Sequence, residues 1–347
     1  MTAYITSVGA ALPERIVTNA ELGPMLGVTP EWIESSSGIK ERRWAGAETS
    51  ASDLAAMAVA NTISASGDSP ERVDYLIGCT MSPDYQVPGV APLVQSKVTG
   101  IGAVPALDIR TACCGLLYAL QLAQGLVNSG TAGAVVCFGA EAQSKGLPLD
   151  RAHAEITMLF GDGAGALLVQ PQAAATGISL RIDDVMVFTD GAFARDLVVR
   201  APGSGNGSAW LSPEQLEAGM HLPRMEGKSV ILHAVRKLYE AAAEILARNG
   251  LSVNDIDVVI PHQANGNLLK LLAKRMELGP DRMVVNLDRF GNTGSASAFI
   301  ALWEAKMEGR LKPGARVLFL AFGAGFTWGA ALASVVPGPV AVALQPD

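Results

Sequence analysis

The sequence has few cysteines, few aromatic residues and no surplus of positive charge. Its 347 residues include four cysteines, and aromatic residues make up 5% of the chain. Four thiols in a chain of this length do not form a disulfide framework, which favours a reducing compartment. The formal net charge is −7. Because no basic surplus is present to displace counterions, we expect no non-specific binding to nucleic acid.

The first residues also lack the pattern of a secretory signal. The stretch "MTAYITSVGAALPERIV" has no basic segment and reaches Glu14 and Arg15 before any long apolar run. We interpret no other segment of the sequence as a bilayer-crossing helix. We therefore expect a cytoplasmic enzyme that has no membrane partner.

Hydrophobic residues, by contrast, are abundant at 49%, in short β-branched runs that alternate with Ala/Leu-rich runs. This alternation predicts an α/β fold. A weak internal repeat pairs three segments with three others about 180 residues later, in the same order: 69–80 with 252–263, 106–120 with 286–300, and 133–141 with 314–322. Three pairs in register indicate duplication of an α/β half, so that strand ends from both halves meet at one cleft.

The repeat divides the chain into three parts. Residues 1–170 are predicted to form a first half and residues 226–347 a second half. The segment 171–225 has no counterpart and contains the flexible "APGSGNGSAW", so we expect an insertion that caps the site. The glycines of "FGDGAGALLV" are interpreted as a structural turn into a core strand, since no following acidic residue completes a dinucleotide-binding pattern.

Two cysteines stand side by side in "TACCGLL", residues 111–117. Cys113 follows an apolar strand and begins a helical run, where the helix dipole and unpaired N–H groups favour the thiolate and lower the pKa of the thiol. Cys113 is thus a candidate nucleophile, with a buried structural cysteine as the alternative. His262 lies just past a strand in the second half, and Asn292 occupies the position that repeats the cysteine's turn.

Together these three residue types suggest thioester chemistry. A cysteine thiolate attacks an acyl carbonyl and holds the acyl group. Histidine and asparagine then donate hydrogen bonds to a second thioester carbonyl, which stabilises the enolate formed when that partner loses CO2. This chemistry needs no metal and no cofactor beyond the thioester substrates.

The motifs "TACCGL", "LFGDGAGA", "PHQAN", "GNTGSAS" and "FGAGFTWGAAL" resemble those of β-ketoacyl-acyl carrier protein synthase III and its relatives, over essentially the whole chain. The resemblance implies the thiolase fold, with two duplicated βαβαβαββ-type halves in a layered αβαβα structure. It implies that Cys113 is acylated by an acyl-CoA and that His262 and Asn292 support decarboxylation and condensation with a malonyl thioester. It also implies an oxyanion hole made by the backbone N–H groups of Cys113 and Ala324.

Further positions follow from the same resemblance. Trp32 and Arg151 match residues that hold the adenine of coenzyme A, and Phe326 matches a residue of the substrate site. Val87 replaces a phenylalanine that, in some relatives, reaches across the dimer and shortens the acyl pocket. A homodimer that accepts longer or branched acyl groups is therefore expected.

The carrier-protein surface departs from the family pattern. Ser36 and Asn267 stand where typical fatty-acid synthases of this type have arginines. A basic cluster survives near Lys270, Lys274 and Arg275, where an acidic acyl carrier protein is expected to dock; malonyl-CoA is the alternative partner. These departures favour specialised metabolism over fatty-acid initiation.

Three other functions remain open at this point. The acyl group on the enzyme can pass to an alcohol, an amine or another non-malonyl acceptor. The chain can be a non-catalytic partner subunit, although such subunits lose the cysteine, histidine or asparagine. The vicinal cysteines can also form a redox or metal site, but Cys79 and Cys137 lack the matching spacing. We expect Cys114 to be a small apolar filler beside Cys113.

Overall fold

The structure is a computed structural model that describes residues 2–279 and 281–338. The described residues form thirteen β-strands and eleven α-helices. The strands are β1 Tyr4–Ala11, β2 Ile16–Thr18, β3 Glu41–Arg43, β4 Tyr75–Cys79, β5 Ala106–Ile109, β6 Val135–Glu141, β7 Gly163–Gln170, β8 Ile178–Thr189, β9 Leu197–Val198, β10 Arg224–Met225, β11 Val258–Pro261, β12 Arg316–Gly323 and β13 Thr327–Pro337. The helices are α1 Asn19–Leu26, α2 Pro30–Ser37, α3 Ala51–Ser66, α4 Val90–Lys97, α5 Gly115–Asn128, α6 Ala154–Thr157, α7 Pro213–Glu217, α8 Gly227–Arg248, α9 Gly266–Arg275, α10 Leu287–Phe290 and α11 Ser297–Met307.

Nine strands form one mixed sheet in the order β11-β12-β13-β8-β1-β7-β6-β4-β5. The antiparallel β8–β1 pair, where Ile5 faces Leu180, lies at the centre of this order. Counted outward from it, β13 corresponds to β7, β12 to β6 and β11 to β4. On one side of this pair, β4, β5 and β6 run parallel and β7 runs antiparallel to β6. On the other side, β11 and β12 run parallel and β13 runs antiparallel to β12. We call these two parts of the sheet the first arm (β1, β4–β7) and the second arm (β8, β11–β13).

Helices separate and cover the two arms. The central helices α5 and α11 contact strands of both arms, and their apolar side chains share one core cluster with those strands. Helices α3 and α4 cover the outer face of the first arm, whereas α8 and α9 cover the outer face of the second. The layers therefore run α-β-α-β-α, which confirms the predicted fold class and its duplicated halves.

The structure corrects two details of the sequence analysis. Residues 178–189, expected within an insertion, form β8, which pairs with β13 along its whole length. Its charged residues are typical of a loop. In the structure they form ion pairs at the sheet surface: Arg181 Nε lies 2.6 Å from Asp183, and Arg248 Nε lies 3.2 Å from Asp184. The predicted cap is thus restricted to residues 190–225.

The second correction concerns the predicted counterpart of β5. The repeat predicts a strand at the beginning of segment 286–300, but Leu287–Phe290 form the short helix α10. At this edge of the second arm, the extended pairing is an isolated bridge between Val259 and Met283. The turn that carries Cys113 therefore follows a strand, whereas the turn that carries Asn292 follows a short helix.

The glycine-rich stretch "FGDGAGALLV" leads into a core strand, as predicted. Gly163 begins β7, which pairs with β1 and β6. A Cβ atom added to Gly165 would lie 2.6 Å from the Cβ atom of Phe299, so the glycine allows α11 to pack directly on the strand. Asp162 is buried and accepts hydrogen bonds from the backbone nitrogens of Ala45 and Ser144. Among residues 2–279 and 281–338, no helix combines the length and apolar character that a membrane crossing requires.

We predict that Gly165→Ala destabilises the protein by about 1–3 kcal/mol, because the added methyl group overpacks the contact with Phe299. Urea denaturation measures the change. Gly125→Ala is the matched control: Gly125 lies on α5 with no atom within 4 Å of an added Cβ. That control is expected to be neutral or to stabilise by about 0.5–1 kcal/mol. Equal stability of wild type and Gly165→Ala would show that the helix and strand do not depend on this contact.

Candidate active site

Cys113 lies on a strained turn between β5 and α5. A single turn of 3₁₀-helix, Ala112–Cys114, leads into the helix, and Ala112 has a φ of 47°. A residue with a side chain pays a conformational cost in this left-handed region. The turn brings the backbone of Cys113 against the end of β12, where a Cβ atom added to Gly323 would lie 2.8 Å from the Cys113 nitrogen. The residue therefore sits where the two arms meet.

The surroundings of Cys113 favour the protonated thiol. Burial raises the pKa of Cys113, the neighbouring Cys114 thiol and the Glu141 carboxyl raise it further, and its own backbone N–H acts in the opposite direction. The lowered pKa predicted from the helix N-terminus is wrong, because the desolvation of the thiolate outweighs the favourable helix end. The thiol must therefore lose its proton during the reaction.

The two adjacent cysteines occupy different environments. Cys113 retains some accessible surface, whereas Cys114 is fully buried in the core cluster between the arms. The Cys114 thiol donates a hydrogen bond to the Thr327 carbonyl over 3.2 Å. Cys79 and Cys137 are likewise free and buried, and the described residues contain no group of three or more side chains suited to a metal ion. The structure thus separates one accessible thiol from one packing residue.

His262 is anchored at the end of β11. Its backbone N–H donates to the Leu320 carbonyl of β12 over 2.7 Å. Its ring Nδ1 lies 2.5 Å from the hydroxyl oxygen of Ser297, the first residue of α11. Burial lowers the pKa of His262 from 6.5 to about 4. The imidazole is therefore neutral at physiological pH and carries a proton on only one of its nitrogens.

Asn292 is oriented by its own turn. Its side-chain oxygen accepts a hydrogen bond from the Gly294 N–H over 2.9 Å. Its backbone N–H donates to the Leu159 carbonyl, and its carbonyl accepts from Gly161. Within the described ranges, no protein group accepts a hydrogen bond from the Asn292 side-chain nitrogen, and this nitrogen is not among the fully buried atoms that lack a partner. It is therefore positioned to donate to a ligand.

Contacts between the arms bring the three residues together. The turn that carries Cys113 packs against the turn Gly294–Ala296, which follows Asn292. It also packs against β12, whose Leu320 carbonyl holds His262. The segments that carry Cys113, His262 and Asn292 therefore lie against one another at the junction of the arms. Cys113 and His262 each follow the carboxyl end of a strand, the position where open α/β sheets bind ligands.

Glu141 is a buried residue that the sequence analysis did not identify. It ends β6, and its carboxylate accepts hydrogen bonds from the Ser295 backbone over 3.1 Å and from the hydroxyls of Ser295 and Ser82, each over 2.7 Å. Burial raises the pKa of Glu141, while these donors act in the opposite direction. The carboxylate ties a loop of the first arm to the turn beyond Asn292. In the sequence, the signal that could have identified Glu141 is a single acidic residue at the end of an apolar strand.

Trp32 and Arg151 face each other at the surface. The guanidinium carbon of Arg151 lies 5.5 Å from the centroid of the Trp32 ring. Trp32 is half-buried on α2, and Arg151 is exposed. A flat base between them needs about 7 Å, since each stacked contact takes about 3.5 Å. The arrangement suits a planar ligand if the arginine moves outward.

Phe326 and Val87 lie in opposite environments. Phe326 is 1% exposed, and its ring stacks on Phe193 of the segment 190–225 with centroids 5.2 Å apart. His233 and Phe322 also pack against the Phe326 ring, so a substrate reaches it only if this aromatic cluster opens. Val87 is 86% exposed, in the loop after β4. Ala324 lies in the turn between β12 and β13, directly after the glycine that contacts Cys113.

The predicted docking cluster lies on α9. Lys270 and Lys274 are exposed one helical turn apart, whereas the Arg275 guanidinium lies 4.6 Å from the Tyr239 ring. Asn267, at the start of the same helix, donates hydrogen bonds of 3.1 Å to the carbonyls of Ser35 and Ser36. Ser36 and Asn267, which stand where the family has arginines, therefore connect α2 and α9 through a hydrogen bond.

Two family models match the chain. The model described as 3-oxoacyl-[acyl-carrier-protein (ACP)] synthase III matches residues 107–191, and the model of its C-terminal part matches residues 246–335. These ranges include Cys113 in the first match and His262 and Asn292 in the second.

Individual relatives align over nearly the whole chain. A beta-ketoacyl-[acyl-carrier-protein] synthase III from Symbiobacterium thermophilum is 38% identical over 94% of this chain and 96% of its own. The crystal structure of a 3-oxoacyl-[acyl-carrier-protein] synthase III from Aquifex aeolicus superposes with a TM-score of 0.84 at 33% identity, covering 96% of this chain and all of its own. The priming beta-ketosynthase of the R1128 polyketide pathway superposes with a TM-score of 0.81 at 28% identity, covering 97% of each chain.

We predict that the alkylation rate of Cys113 by iodoacetamide rises about tenfold per pH unit from pH 6 to pH 8, without a plateau. The reason is that a raised pKa keeps the thiolate a minor species throughout this range. The rate is measured by mass spectrometry, with Cys113→Ala giving the background from the buried thiols. A plateau below pH 7 would contradict this, because it would show that the helix N-terminus dominates over burial.

Proposed function

Because the chain belongs to the 3-oxoacyl-[acyl-carrier-protein] synthase III family and is a condensing acyltransferase, we propose that Cys113, His262 and Asn292 divide its reaction between them. The substrates are an acyl-CoA and a malonyl thioester, and the product is a β-ketoacyl thioester. The observation that carries this assignment is that the segments bearing one accessible thiol and two neutral, oriented side chains pack together at the junction of the arms. No further cofactor takes part in the proposed reaction.

The first half-reaction transfers the acyl group to Cys113. The sulfur bonds to the acyl carbonyl carbon, the bond to the coenzyme A sulfur breaks, and the thiol proton leaves with coenzyme A. The backbone N–H groups of Cys113 and Ala324 hold the negative oxygen of the tetrahedral intermediate. The approach of β12 to the Cys113 turn supports this pairing, because Ala324 follows the contacting glycine.

The second half-reaction uses His262 and Asn292. The carbon–carbon bond to the malonyl carboxylate breaks, CO2 leaves, and the electron pair becomes an enolate whose oxygen accepts hydrogen bonds from both side chains. The enolate carbon then attacks the acyl carbonyl on Cys113, and the sulfur leaves as a thiolate that takes up a proton. Neutral donors suit this step, since they stabilise developing charge at a buried site without a buried charge of their own.

The entrance to the site fits coenzyme A and a carrier protein. The facing side chains of Trp32 and Arg151 support binding of the adenine. The exposed Lys270 and Lys274, with Arg275 beside them, support docking of an acidic acyl carrier protein. The malonyl group arrives on this carrier or as malonyl-CoA. Residues 190–225 form the proposed cap over the site, inserted in a second half that consists of β8 and residues 226–347, and residues 1–170 form the first half.

The loop after β4 is the proposed contact between two copies of the chain. Tyr85 is 61% exposed and Val87 is 86% exposed. Neighbouring exposed apolar side chains of this size are typical of interaction surfaces. In the homodimer, Val87 takes the place of a larger residue at the partner's acyl pocket, which leaves room for longer or branched acyl groups. Both a fatty-acid primer and a polyketide primer fit such a pocket.

The function is tested by mass spectrometry of intact protein incubated with a panel of acyl-CoAs. We predict one acyl adduct in the wild type, since Cys113 is the accessible thiol. The adduct is expected to persist in Cys114→Ser, the matched control, and to disappear in Cys113→Ala. An adduct that survives in Cys113→Ala contradicts the assignment.

The product of the second half-reaction separates this function from its rival. Addition of a malonyl thioester to the acylated enzyme is expected to release CO2 and form a β-keto thioester. Formation of an ester or amide without CO2 would instead identify an acyltransferase that uses a different acceptor.

A further inference from the structure

The proposed decarboxylation requires a particular tautomer of His262. A neutral imidazole donates from the one nitrogen that carries its proton, and accepts at the other. Nδ1 faces Ser297, so only Nε2 is left to meet a substrate. Nε2 has no hydrogen-bond partner among the described residues, and it is not one of the fully buried atoms without a partner. The proposed decarboxylation therefore requires that the single ring proton of the neutral His262 is on Nε2.

The hydrogen bonds of Ser297 decide where that proton lies. The backbone N–H of Gln263 donates to the Ser297 hydroxyl oxygen over 3.2 Å. An amide N–H can only donate, so the oxygen is the acceptor in this bond. Ser297 is 1% exposed, and its own proton needs an acceptor inside the protein. In the part of the chain that the structure describes, His262 Nδ1, at 2.5 Å, is the acceptor within reach.

The opposite tautomer leaves a buried group unsatisfied. If Nδ1 carried the proton, it would donate to the Ser297 oxygen, which would then accept two hydrogen bonds. The Ser297 proton would be left without an acceptor, and a buried unsatisfied O–H is unfavourable. The observed geometry therefore selects the Nε2–H form.

Gln263 holds this arrangement rigid. Its side-chain nitrogen donates to the carbonyls of Pro261 and Val284, over 2.9 Å and 3.1 Å, and its side-chain oxygen accepts from the Asn286 N–H over 3.0 Å. With both ends of its amide bonded, Gln263 cannot turn its backbone N–H away from Ser297. The hydrogen bonds thus run in one direction, from the Gln263 N–H to the Ser297 hydroxyl and on to His262 Nδ1.

We propose that Ser297 is a positioning residue that fixes His262 as the Nε2–H tautomer, the form that donates to the enolate oxygen. Its role in the reaction rests on the proposed function, but the tautomer itself does not. Ser297 acts through His262 and does not touch the substrate. It also joins the central helix α11 to the histidine at the end of β11.

The tautomer is tested by NMR of protein labelled with ¹⁵N-histidine. Protonated and unprotonated ring nitrogens have distinct ¹⁵N shifts, and the chain has four histidines, so that His262→Gln identifies the signals of His262. In the wild type we expect a protonated Nε2 and an unprotonated Nδ1 at pH 7. In Ser297→Ala we expect a mixture of tautomers, because the donor to Nδ1 is gone. Ser297→Thr keeps the hydroxyl and is expected to restore the wild-type spectrum.

Kinetics of the separate half-reactions test the role in catalysis. Ser297→Ala is expected to slow decarboxylation by about 10- to 100-fold, by analogy with removal of the hydrogen-bond partner of a metal-binding histidine. Acylation of Cys113 should stay near the wild-type rate, and Ser297→Thr should recover decarboxylation. Ser295→Ala is the matched control, since its buried hydroxyl bonds to Glu141 and the Cys79 carbonyl and not to His262. It is expected to lower stability without changing the tautomer.

Three results would overturn the proposal. They are a wild-type spectrum with the proton on Nδ1, a Ser297→Ala spectrum unchanged from the wild type, and a Ser297→Ala variant that decarboxylates at the wild-type rate. If Ser297→Ala does not fold, the spectra of the wild type and Ser297→Thr still decide the tautomer. A wild-type enzyme that never decarboxylates a malonyl thioester, yet shows the Nε2–H spectrum, would contradict the proposed function and leave the tautomer assignment intact.

Discussion

The active site depends on the close contact between the end of β12 and the turn that carries Cys113. Gly323 makes this contact possible, since a Cβ atom there would lie 2.8 Å from the Cys113 nitrogen and 3.3 Å from its Cβ atom. Three residues earlier, the Leu320 carbonyl of the same strand holds His262. One strand of the second arm therefore positions the thiol of the first arm and the imidazole of the second. The duplication places two sets of strand ends near each other, and this contact makes them one site.

Burial sets the protonation states of the site. It raises the pKa of Cys113 and lowers the pKa of His262 to about 4, so that both side chains are neutral before substrate binds. A charged imidazole would be costly to bury. The hydrogen bonds around His262 and Asn292 occupy the Nδ1 atom and the side-chain oxygen, which leaves the other side-chain nitrogens to donate in the proposed reaction. In that reaction the site stabilises an enolate without a permanent charge.

The alternation of short strands and helices, with the internal repeat, was sufficient to predict an α/β fold with duplicated halves. The family motifs added the layered arrangement and marked Cys113, His262 and Asn292 as the candidate reacting residues. The sequence was not sufficient for β8, whose charged residues are typical of a loop. In the structure, Asp184 pairs with Arg248 of α8, and Arg181 pairs with Asp183 on the strand itself. The direction of the Cys113 pKa shift also required the tertiary structure, since burial and the helix end act in opposite directions. Ser297 and Glu141 were missed because their partners are distant in sequence: 35 residues separate Ser297 from His262, and 154 separate Glu141 from Ser295.

The central claim is that the first arm stores the acyl group while the second arm drives loss of CO2. The most direct test measures labelled CO2 released from a carboxyl-labelled malonyl thioester, together with acyl transfer to the enzyme, in Cys113→Ala and Asn292→Ala. We predict that Cys113→Ala still releases CO2 but takes up no acyl group. Asn292→Ala is predicted to become acylated but to release CO2 about 10²- to 10³-fold more slowly, as for removal of one donor to a developing oxyanion. Loss of CO2 release in Cys113→Ala, with retention in Asn292→Ala, would contradict the claim.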